Sequence, residues 1–129
     1  MSTGALQISA IALGGAGGAL LRSFLVNWMY ALTGGRFPWG TLLVNLMGSL
    51  LAGFLYVLLV ERAQAAVEWR ALLMVGFLGA LTTFSAFSLD TLHLFENGRV
   101  LLAGSNIVLN VVLCLLLVWL GAALARQIF

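Results

Sequence analysis

The chain has 129 residues, of which 63% are hydrophobic and only 8% are charged, with 6 arginines and 4 acidic residues. A soluble domain carries about 25% charged residues, so this composition excludes a soluble globular protein and indicates an integral membrane protein. Cys114 is the lone cysteine, which excludes an intrachain disulfide framework, and one Cys with one His excludes a clustered zinc site. The arginines are scattered and form no basic patch, so no nucleic-acid partner is expected.

Four segments are apolar and long enough to cross a bilayer core, which takes about 20 residues per helix. They extend over about residues 6–32, 39–60, 71–95 and 100–125. The short segments between them carry charges, and the first also contains Gly34, Gly35 and Pro38, residue types that end helices. The sequence therefore predicts an all-α membrane protein, with residues 1–129 forming a single transmembrane domain of four helices.

The arginines are divided almost evenly between the two sides of the predicted membrane. Four spans put both termini on one side, together with three of the arginines: Arg62, Arg70 and Arg126. The other side has Arg36 and Arg99. Arg22 is assigned to that side as well, because it lies near the far end of the first span. The positive-inside rule needs an excess of Lys and Arg on one side, so it gives almost no preference here. Two interpretations stay open: dual topology, in which chains of opposite orientation form an inverted pair, and a single, weakly specified orientation.

Small residues at helical spacing mark faces where the spans contact one another, because helices in lipid associate by close packing. The first span has a GxxxG motif at Gly14 and Gly18, and the second has Gly48 and Ala52 at the same spacing. We interpret these residues as structural. A tightly packed unit of this size leaves little space for an internal pore, so oligomerisation is expected.

The third span is the most polar and contains two glycines followed by two threonines, two serines and Asp90. The glycines predict a loss of helical continuity at Gly79, in mid-membrane. Such a break frees backbone carbonyls, which in transporters form ion sites near the midplane and suit a small cation such as Na⁺.

Two aromatic residues follow the glycines, Phe84 and Phe87, which share a helix face because of their i, i+3 spacing. Their positive ring edges, turned toward a pore, would stabilise a small anion without binding it tightly. The alternative is that the rings pack as core and the neighbouring hydroxyls bond to their own helix; the residues alone do not decide.

Two sets of polar side chains lie in the second and fourth spans. Asn45 either bridges helices or donates its amide hydrogens to a permeating anion. Asn106, Asn110 and Cys114 follow at i, i+4 and i+8 and so lie along one stripe of the fourth helix. This stripe either lines the route of an ion that is losing its water shell or forms hydrogen bonds between two helices.

Three ionisable residues also lie within or at the ends of spans, where such groups are functional candidates. Arg22 either extends to the interface or draws anions into a vestibule. Asp90 and His93, at i, i+3, suggest a salt-bridged cap or a proton relay. The sequence has no Ser-His-Asp set, no paired carboxylates and no phosphate-binding loop, so we predict that the chain is not an enzyme.

These motifs, in this order, resemble the Fluc-type fluoride channel family, also called CrcB. The resemblance covers the whole chain. The matching segments are Gly17-Gly18-Ala19 with Leu21-Arg22, Phe37-Pro38-Trp39-Gly40-Thr41-Leu42 with Val44-Asn45, and the Gly-Phe-Leu-Gly-Ala-Leu-Thr-Thr-Phe-Ser-Ala-Phe-Ser run over residues 76–88.

The resemblance implies passive, fluoride-selective export across the bacterial inner membrane through two pores of an antiparallel, dual-topology homodimer. It implies that Phe84, Phe87 and Asn45 line the pores and that Arg22 lies in a vestibule. It also implies that backbone carbonyls of Gly79 and Thr82 hold a structural Na⁺ at the dimer interface.

The fourth span departs from the family pattern, which often has hydroxyl residues along its polar track. Here Asn110 and Cys114 take these positions and are expected to line the pore with a different chemistry. Asp90 stands where many members have Glu.

Two other functions compete with a fluoride channel. A small proton-coupled multidrug exporter also has four spans and dual topology, but it relies on an acidic residue in its first span, and the first span here has none. An accessory subunit that moves no ion is the second alternative.

Overall fold

Four long apolar helical segments make up the computed structural model, which describes residues 2–129. The first three helices are α1 (Thr3–Thr33), α2 (Trp39–Arg62) and α3 (residues 67–81), and they are followed by α4 (Phe84–Glu96) and α5 (Val100–Ile128). Helices α3 and α4 together form the third apolar segment, Val67–Glu96. The prediction of an all-helical, four-span membrane protein is confirmed by these segments.

The helix ends follow from local sequence chemistry. The Ser2 side chain accepts a hydrogen bond from the backbone N–H of Ala5 at the start of α1. Gly34 and Gly35 both have φ of 74°, and the Gly34 N–H donates to the Tyr30 carbonyl, which ends α1 where the glycines predict it. The third segment begins at Val67 rather than near residue 71, because the charged residues before Ala71 are themselves helical.

Three stretches of these helices have the wider π-helical turn, in which the backbone bonds from i to i+5. They are Val57–Arg62 at the end of α2, Ala71–Leu78 within α3 and Leu109–Leu113 within α5. Such turns are rare in proteins and occur often at functional sites. The third of them contains Asn110, one of the predicted pore residues.

Close helix packing depends on glycine at several crossings. Helix α1 packs against α3, and α2 packs against the C-terminal half of α5. Gly14 and Gly18 are buried, and a methyl group on either would overlap the backbone carbonyl of Leu72 or Phe77, respectively. Gly53 likewise lies directly against the Val118 carbonyl of α5. The GxxxG motif is thus a helix-contact motif, as predicted.

Replacing Gly18 by alanine is expected to destabilise the protein by about 1–3 kcal/mol, because the added methyl overpacks a backbone contact that a rotamer change cannot relieve. Gly104 is the matched control, since it is helical and an added Cβ would meet no atom within 4 Å. Gly104→Ala is expected to be neutral or stabilising by up to about 1 kcal/mol. Thermal unfolding of both variants in detergent checks the difference, and equal melting points would contradict the assigned contact.

The two ends of the helical bundle carry different charged contacts. At one end, Arg99 Nη1 donates to the Arg36 carbonyl at 3.2 Å, joining the loop after α1 to the start of α5. At the other, Arg126 pairs with Glu61 at 2.7 Å. Arg36 and Arg99, which were predicted to share a side, thus do lie at one end of the bundle.

Candidate ion pathway

The backbone leaves helical geometry between α3 and α4. Thr82 has φ −83° and ψ 155°, and Thr83 has φ −153° and ψ 122°, so both residues are extended. Gly79 is itself helical, with φ −60° and ψ −33°. The prediction that helical continuity is lost at Gly79 is therefore wrong in position: the extended residues lie three positions later.

Asn45 of α2 holds the extended Thr83 from both sides. Its Oδ1 accepts from the Thr83 backbone N–H at 2.8 Å, and its Nδ2 donates to the Thr83 carbonyl at 3.1 Å. The same Nδ2 donates to Asn110 Oδ1 at 2.9 Å. Both amide hydrogens of Asn45 are thus engaged, and of the two interpretations left open by the sequence, the structure shows the bridging one.

Near the extended residues Thr82 and Thr83, two backbone N–H groups do not bond to the carbonyls that would accept them in a continuous helix. In an uninterrupted helix the Thr83 N–H would bond to the Gly79 carbonyl and the Ala86 N–H to the Thr82 carbonyl. Instead, the Thr83 N–H bonds to Asn45, and the Ala86 N–H bonds to Thr83 Oγ1 at 3.1 Å. The carbonyls of Gly79 and Thr82 therefore lose their usual helical donors.

A chain of amide and hydroxyl groups continues from Asn45 through the buried part of the bundle. Asn110 Nδ2 donates to Asn106 Oδ1 at 2.9 Å, and Asn106 Nδ2 donates to Thr91 Oγ1 at 3.0 Å. The Thr91 hydroxyl then donates to the Phe87 carbonyl at 2.8 Å. Asn45, Asn106, Asn110 and Thr91 are all buried. We call these four residues the amide chain; it includes Asn106 and Asn110 of the stripe predicted on the fourth span, but not Cys114, the third residue of that stripe.

The aromatic pair lies beside the amide chain. The ring centroids of Phe84 and Phe87 are 5.2 Å apart and their planes are inclined by 58°. Phe87 is 7% exposed, whereas Phe84 is 76% exposed on the surface of the single chain. Both rings line a cavity of about 530 Å³, together with Asn45, Asn110 and Cys114. The structure thus places all five of the predicted pore residues around one cavity, which we call the aromatic cavity.

The predicted sodium residues lie at the wall of the same cavity. Gly79 and Thr82 both line it, as do Gly48 and Ser49 from α2. Gly48 is in direct contact with the Thr82 side chain, since an added Cβ there would overlap the Thr82 methyl group.

The remaining ionisable candidates lie elsewhere. Arg22 is half-buried and is not among the described residues that line the aromatic cavity. Asp90 Oδ2 accepts from the Thr41 hydroxyl at 2.7 Å. The only ion pair in the described part of the chain joins Glu61 to Arg126, so Asp90 and His93 do not form a salt-bridged cap.

Three threonines make contacts in the structure although the sequence pointed to no role for them: Thr83, Thr91 and Thr41. Thr83 supplies the backbone groups that Asn45 binds, and its hydroxyl caps α4. A signal for this cap is present in the sequence, because a threonine directly before an apolar helical segment is a typical N-cap. The pairings of Thr91 and Thr41 are tertiary contacts without such a local signal.

Four apolar helical segments enclose a chain of polar side chains that ends at the aromatic cavity. This arrangement defines a multi-pass membrane protein with a candidate ion pathway. Residues 9–122 match the family described as "CrcB-like protein, Camphor Resistance (CrcB)". The chain belongs to this family, as its resemblance to Fluc-type proteins predicts. The prediction that it is not an enzyme is confirmed by this membership, since the similar curated proteins are named as ion channels.

Three of these relatives carry the name "Fluoride-specific ion channel FluC". The protein from Methylococcus capsulatus is 55% identical over 123 residues, which cover 95% of this chain and 54% of the relative. This chain therefore spans about half the length of that relative. The proteins from Pseudoalteromonas translucida and Coxiella burnetii are 52% and 44% identical, over 98% and 100% of their own lengths and 91% and 95% of this chain.

Proposed function

We propose that the protein is a passive, fluoride-selective channel that exports fluoride from the cytoplasm. The observation that carries this proposal is the aromatic cavity, where two phenylalanine rings and two asparagine amides meet in a chain whose relatives are named fluoride-specific channels. The family membership supports fluoride as the permeating ion, and the aromatic cavity supports the location of its pathway.

Selectivity for a small anion follows from the chemistry of the cavity wall. The residues that line it include no charged side chain. A dehydrated anion would be stabilised by the positive edges of Phe84 and Phe87 and by amide donors, each of which is a weak partner. Conduction requires weak interactions with the ion, because an ion that binds tightly leaves the site slowly.

The amide chain offers a permeating anion donors that are already ordered. Fluoride reaching Asn45 would take the place of Asn110 Oδ1 as the acceptor for Asn45 Nδ2. The next donor, Asn110 Nδ2, is one residue further along the chain and now donates to Asn106. The ion would thus move by exchanging one acceptor for another, without leaving any buried donor unpaired, which would cost about 1–3 kcal/mol. Cys114, one helical turn from Asn110, contributes a weak S–H donor.

We further propose that two chains in opposite orientation form a homodimer with two such pathways, in the bacterial inner membrane. The aromatic cavity is open on the surface of the single chain, where Phe84 is exposed. A second copy seated there would cover the ring and close the pore wall. The even division of arginines between the two ends is compatible with both orientations.

The dimer interface would hold one structural Na⁺ through backbone carbonyls of Gly79 and Thr82. The fit rests on the diverted donors described above, which leave these two hard oxygen ligands without their usual helical partners. A bound Na⁺ would supply fixed positive charge and hold the interrupted third segments together. The residues that would position these carbonyls are Asn45 and Thr83.

Fluoride efflux from liposomes tests the function. Purified protein in vesicles loaded with potassium fluoride is expected to release fluoride to an external electrode when valinomycin carries the potassium, and to release negligible chloride. The flux should be independent of a proton gradient. Absence of fluoride release would refute the channel, and a strict need for a proton gradient would favour a proton-coupled exporter instead.

A further inference from the structure

Thr91 is a buried hydroxyl residue that joins α4 to α5. It lies on α4, one helical turn after Phe87, and is 8% exposed. Its hydroxyl donates to the Phe87 carbonyl at 2.8 Å, and its Oγ1 accepts from Asn106 Nδ2 of α5 at 3.0 Å. Thr91 is not among the described residues that line the aromatic cavity, so it would act on an ion there only through other residues.

Backbone groups fix which atoms donate and which accept at this end of the amide chain. The Asn106 backbone carbonyl can only accept, so the Asn110 atom 2.9 Å from it is Nδ2. The same Nδ2 lies 2.9 Å from the Asn106 side chain, which therefore presents Oδ1 there and turns its Nδ2 toward Thr91. Because the hydrogen of the Thr91 hydroxyl goes to the Phe87 carbonyl, Thr91 Oγ1 faces Asn106 as an acceptor.

Asn106 depends on this acceptor because the residue is fully buried. It is 0% exposed, and Thr91 Oγ1 is the only acceptor that its Nδ2 has within residues 2–129. A buried N–H group that lacks an acceptor is unfavourable, so an anion that supplies one is bound more tightly there. The presence of the Thr91 oxygen therefore weakens the attraction between Asn106 and an anion.

We propose that Thr91 is a positioning residue that sets the fluoride affinity of the amide chain through Asn106. The proposal rests on the proposed channel function. Fluoride that reaches Asn106 displaces Thr91 Oγ1 from Nδ2. The hydroxyl oxygen stays in place through its bond to the Phe87 carbonyl, and it accepts from Nδ2 again when the ion moves on. This competing acceptor keeps the binding of the ion weak enough for conduction.

Thr91→Val removes the acceptor and keeps the shape of the side chain. Fluoride efflux from liposomes is measured over a series of internal fluoride concentrations. The half-saturating concentration and the maximal rate are both expected to fall about tenfold, because an unpaired buried donor binds the ion more tightly and releases it more slowly. Thr91→Ser keeps the hydroxyl and should restore both values. A half-saturating concentration that is unchanged or higher in Thr91→Val would show a merely structural role and overturn the proposal.

Ser88→Ala is the matched control on the same helix. The Ser88 hydroxyl likewise donates to the carbonyl four residues earlier, that of Phe84, at 2.9 Å. Ser88 is exposed, however, and accepts no hydrogen bond from another helix in the described part of the chain. Its replacement should leave the half-saturating concentration and the maximal rate unchanged. If Ser88→Ala lowers the half-saturating concentration as much as Thr91→Val, the effect does not depend on the Asn106 contact and the proposal is wrong.

Fluoride binding is measured without conduction from the melting point in detergent, since a ligand of the folded protein raises it. Potassium fluoride replaces potassium gluconate at constant ionic strength. The rise in melting point should begin at an about tenfold lower fluoride concentration in Thr91→Val than in the unaltered protein. Asn106→Leu removes the donor, so adding Thr91→Val to it should lower that concentration no further.

Two results of this titration would overturn the inference: an unchanged onset in Thr91→Val, or a further fall when Thr91→Val is added to Asn106→Leu. A lower onset in Thr91→Val, found together with an unaltered protein that releases no fluoride from liposomes, would refute only the channel function. The failure of the two proposals is thus distinguishable.

Discussion

Replacing Phe87 by isoleucine is expected to lower fluoride efflux about tenfold or more while the protein still assembles. Isoleucine keeps apolar bulk but has no positive ring edge. Pairs of aromatic rings in edge-to-face contact gain about 0.5–1.5 kcal/mol beyond their burial, and a ring edge against a desolvated anion is expected to contribute about as much or more; about 1.4 kcal/mol corresponds to a tenfold change in rate. Phe84→Ile should act in the same direction, because the two rings share the cavity at a centroid distance of 5.2 Å. The liposome efflux assay gives the rate.

Phe95→Ile is the matched control on the same helix. Phe95 is 47% exposed and lies outside the aromatic cavity, so its replacement should leave the flux unchanged. Size-exclusion elution of all three variants separates loss of conduction from loss of assembly. Normal flux in Phe84→Ile and Phe87→Ile together would show that the ring edges play no part in the pathway.

Asn45→Ala is expected to abolish conduction and to lower the free energy of unfolding by several kcal/mol, with a matching fall in the melting point. The substitution leaves the Thr83 N–H, the Thr83 carbonyl and Asn110 Oδ1 without their present partner. Each buried polar group left unsatisfied costs about 1–3 kcal/mol. With the backbone at Thr83 no longer held, the carbonyls of Gly79 and Thr82 lose their fixed orientation. Efflux and the melting point in detergent are measured together.

Asn45→Asp distinguishes hydrogen bonds that the Asn45 side chain accepts from those that it donates. A carboxylate still accepts from the Thr83 N–H, but it cannot donate to the Thr83 carbonyl or to Asn110, so it should also lose conduction. Asn27→Ala, on an exposed position of α1, is the control and should behave like the unaltered protein. Full flux in Asn45→Asp would mean that donation by the amide is not needed.

The features that the sequence predicts well depend on local spacing and composition. The four spans follow from the length of the apolar segments, and the α1–α3 contact follows from Gly14 and Gly18 at i, i+4. The end of α1 follows from Gly34 and Gly35, whose positive φ suits glycine. Each of these depends on residues that lie within one segment of the sequence.

The features that the sequence predicts poorly depend on contacts between distant residues. Helical continuity is lost at Thr82 and Thr83, and not at Gly79, because Asn45 takes the Thr83 N–H from 38 residues away. The pairing of Asn45 with Asn110 joins residues 65 positions apart. Spacing along one helix places each asparagine on a face, but it does not say which faces meet.

The charged candidates show the same limit. Sequence reasoning singled out Arg22, because an arginine inside an apolar span is conspicuous. Arg36 and Arg99 are ordinary loop residues in the sequence, and they meet only because the loop after α1 lies against the start of α5. No local sequence signal announces this contact, and the vestibule role of Arg22 stays a prediction.

The hydrogen bonds of the amide chain all run in one direction, from Asn45 through Asn110 and Asn106 to the Thr91 hydroxyl. Three of its members are carboxamides, which neither gain nor release a proton near neutral pH. A row of water molecules or titratable side chains in the same place would pass protons from one end to the other. In the proposed channel the buried amides would instead provide no path for protons, so a cell in acidic surroundings would gain an anion exit without a proton leak across its membrane.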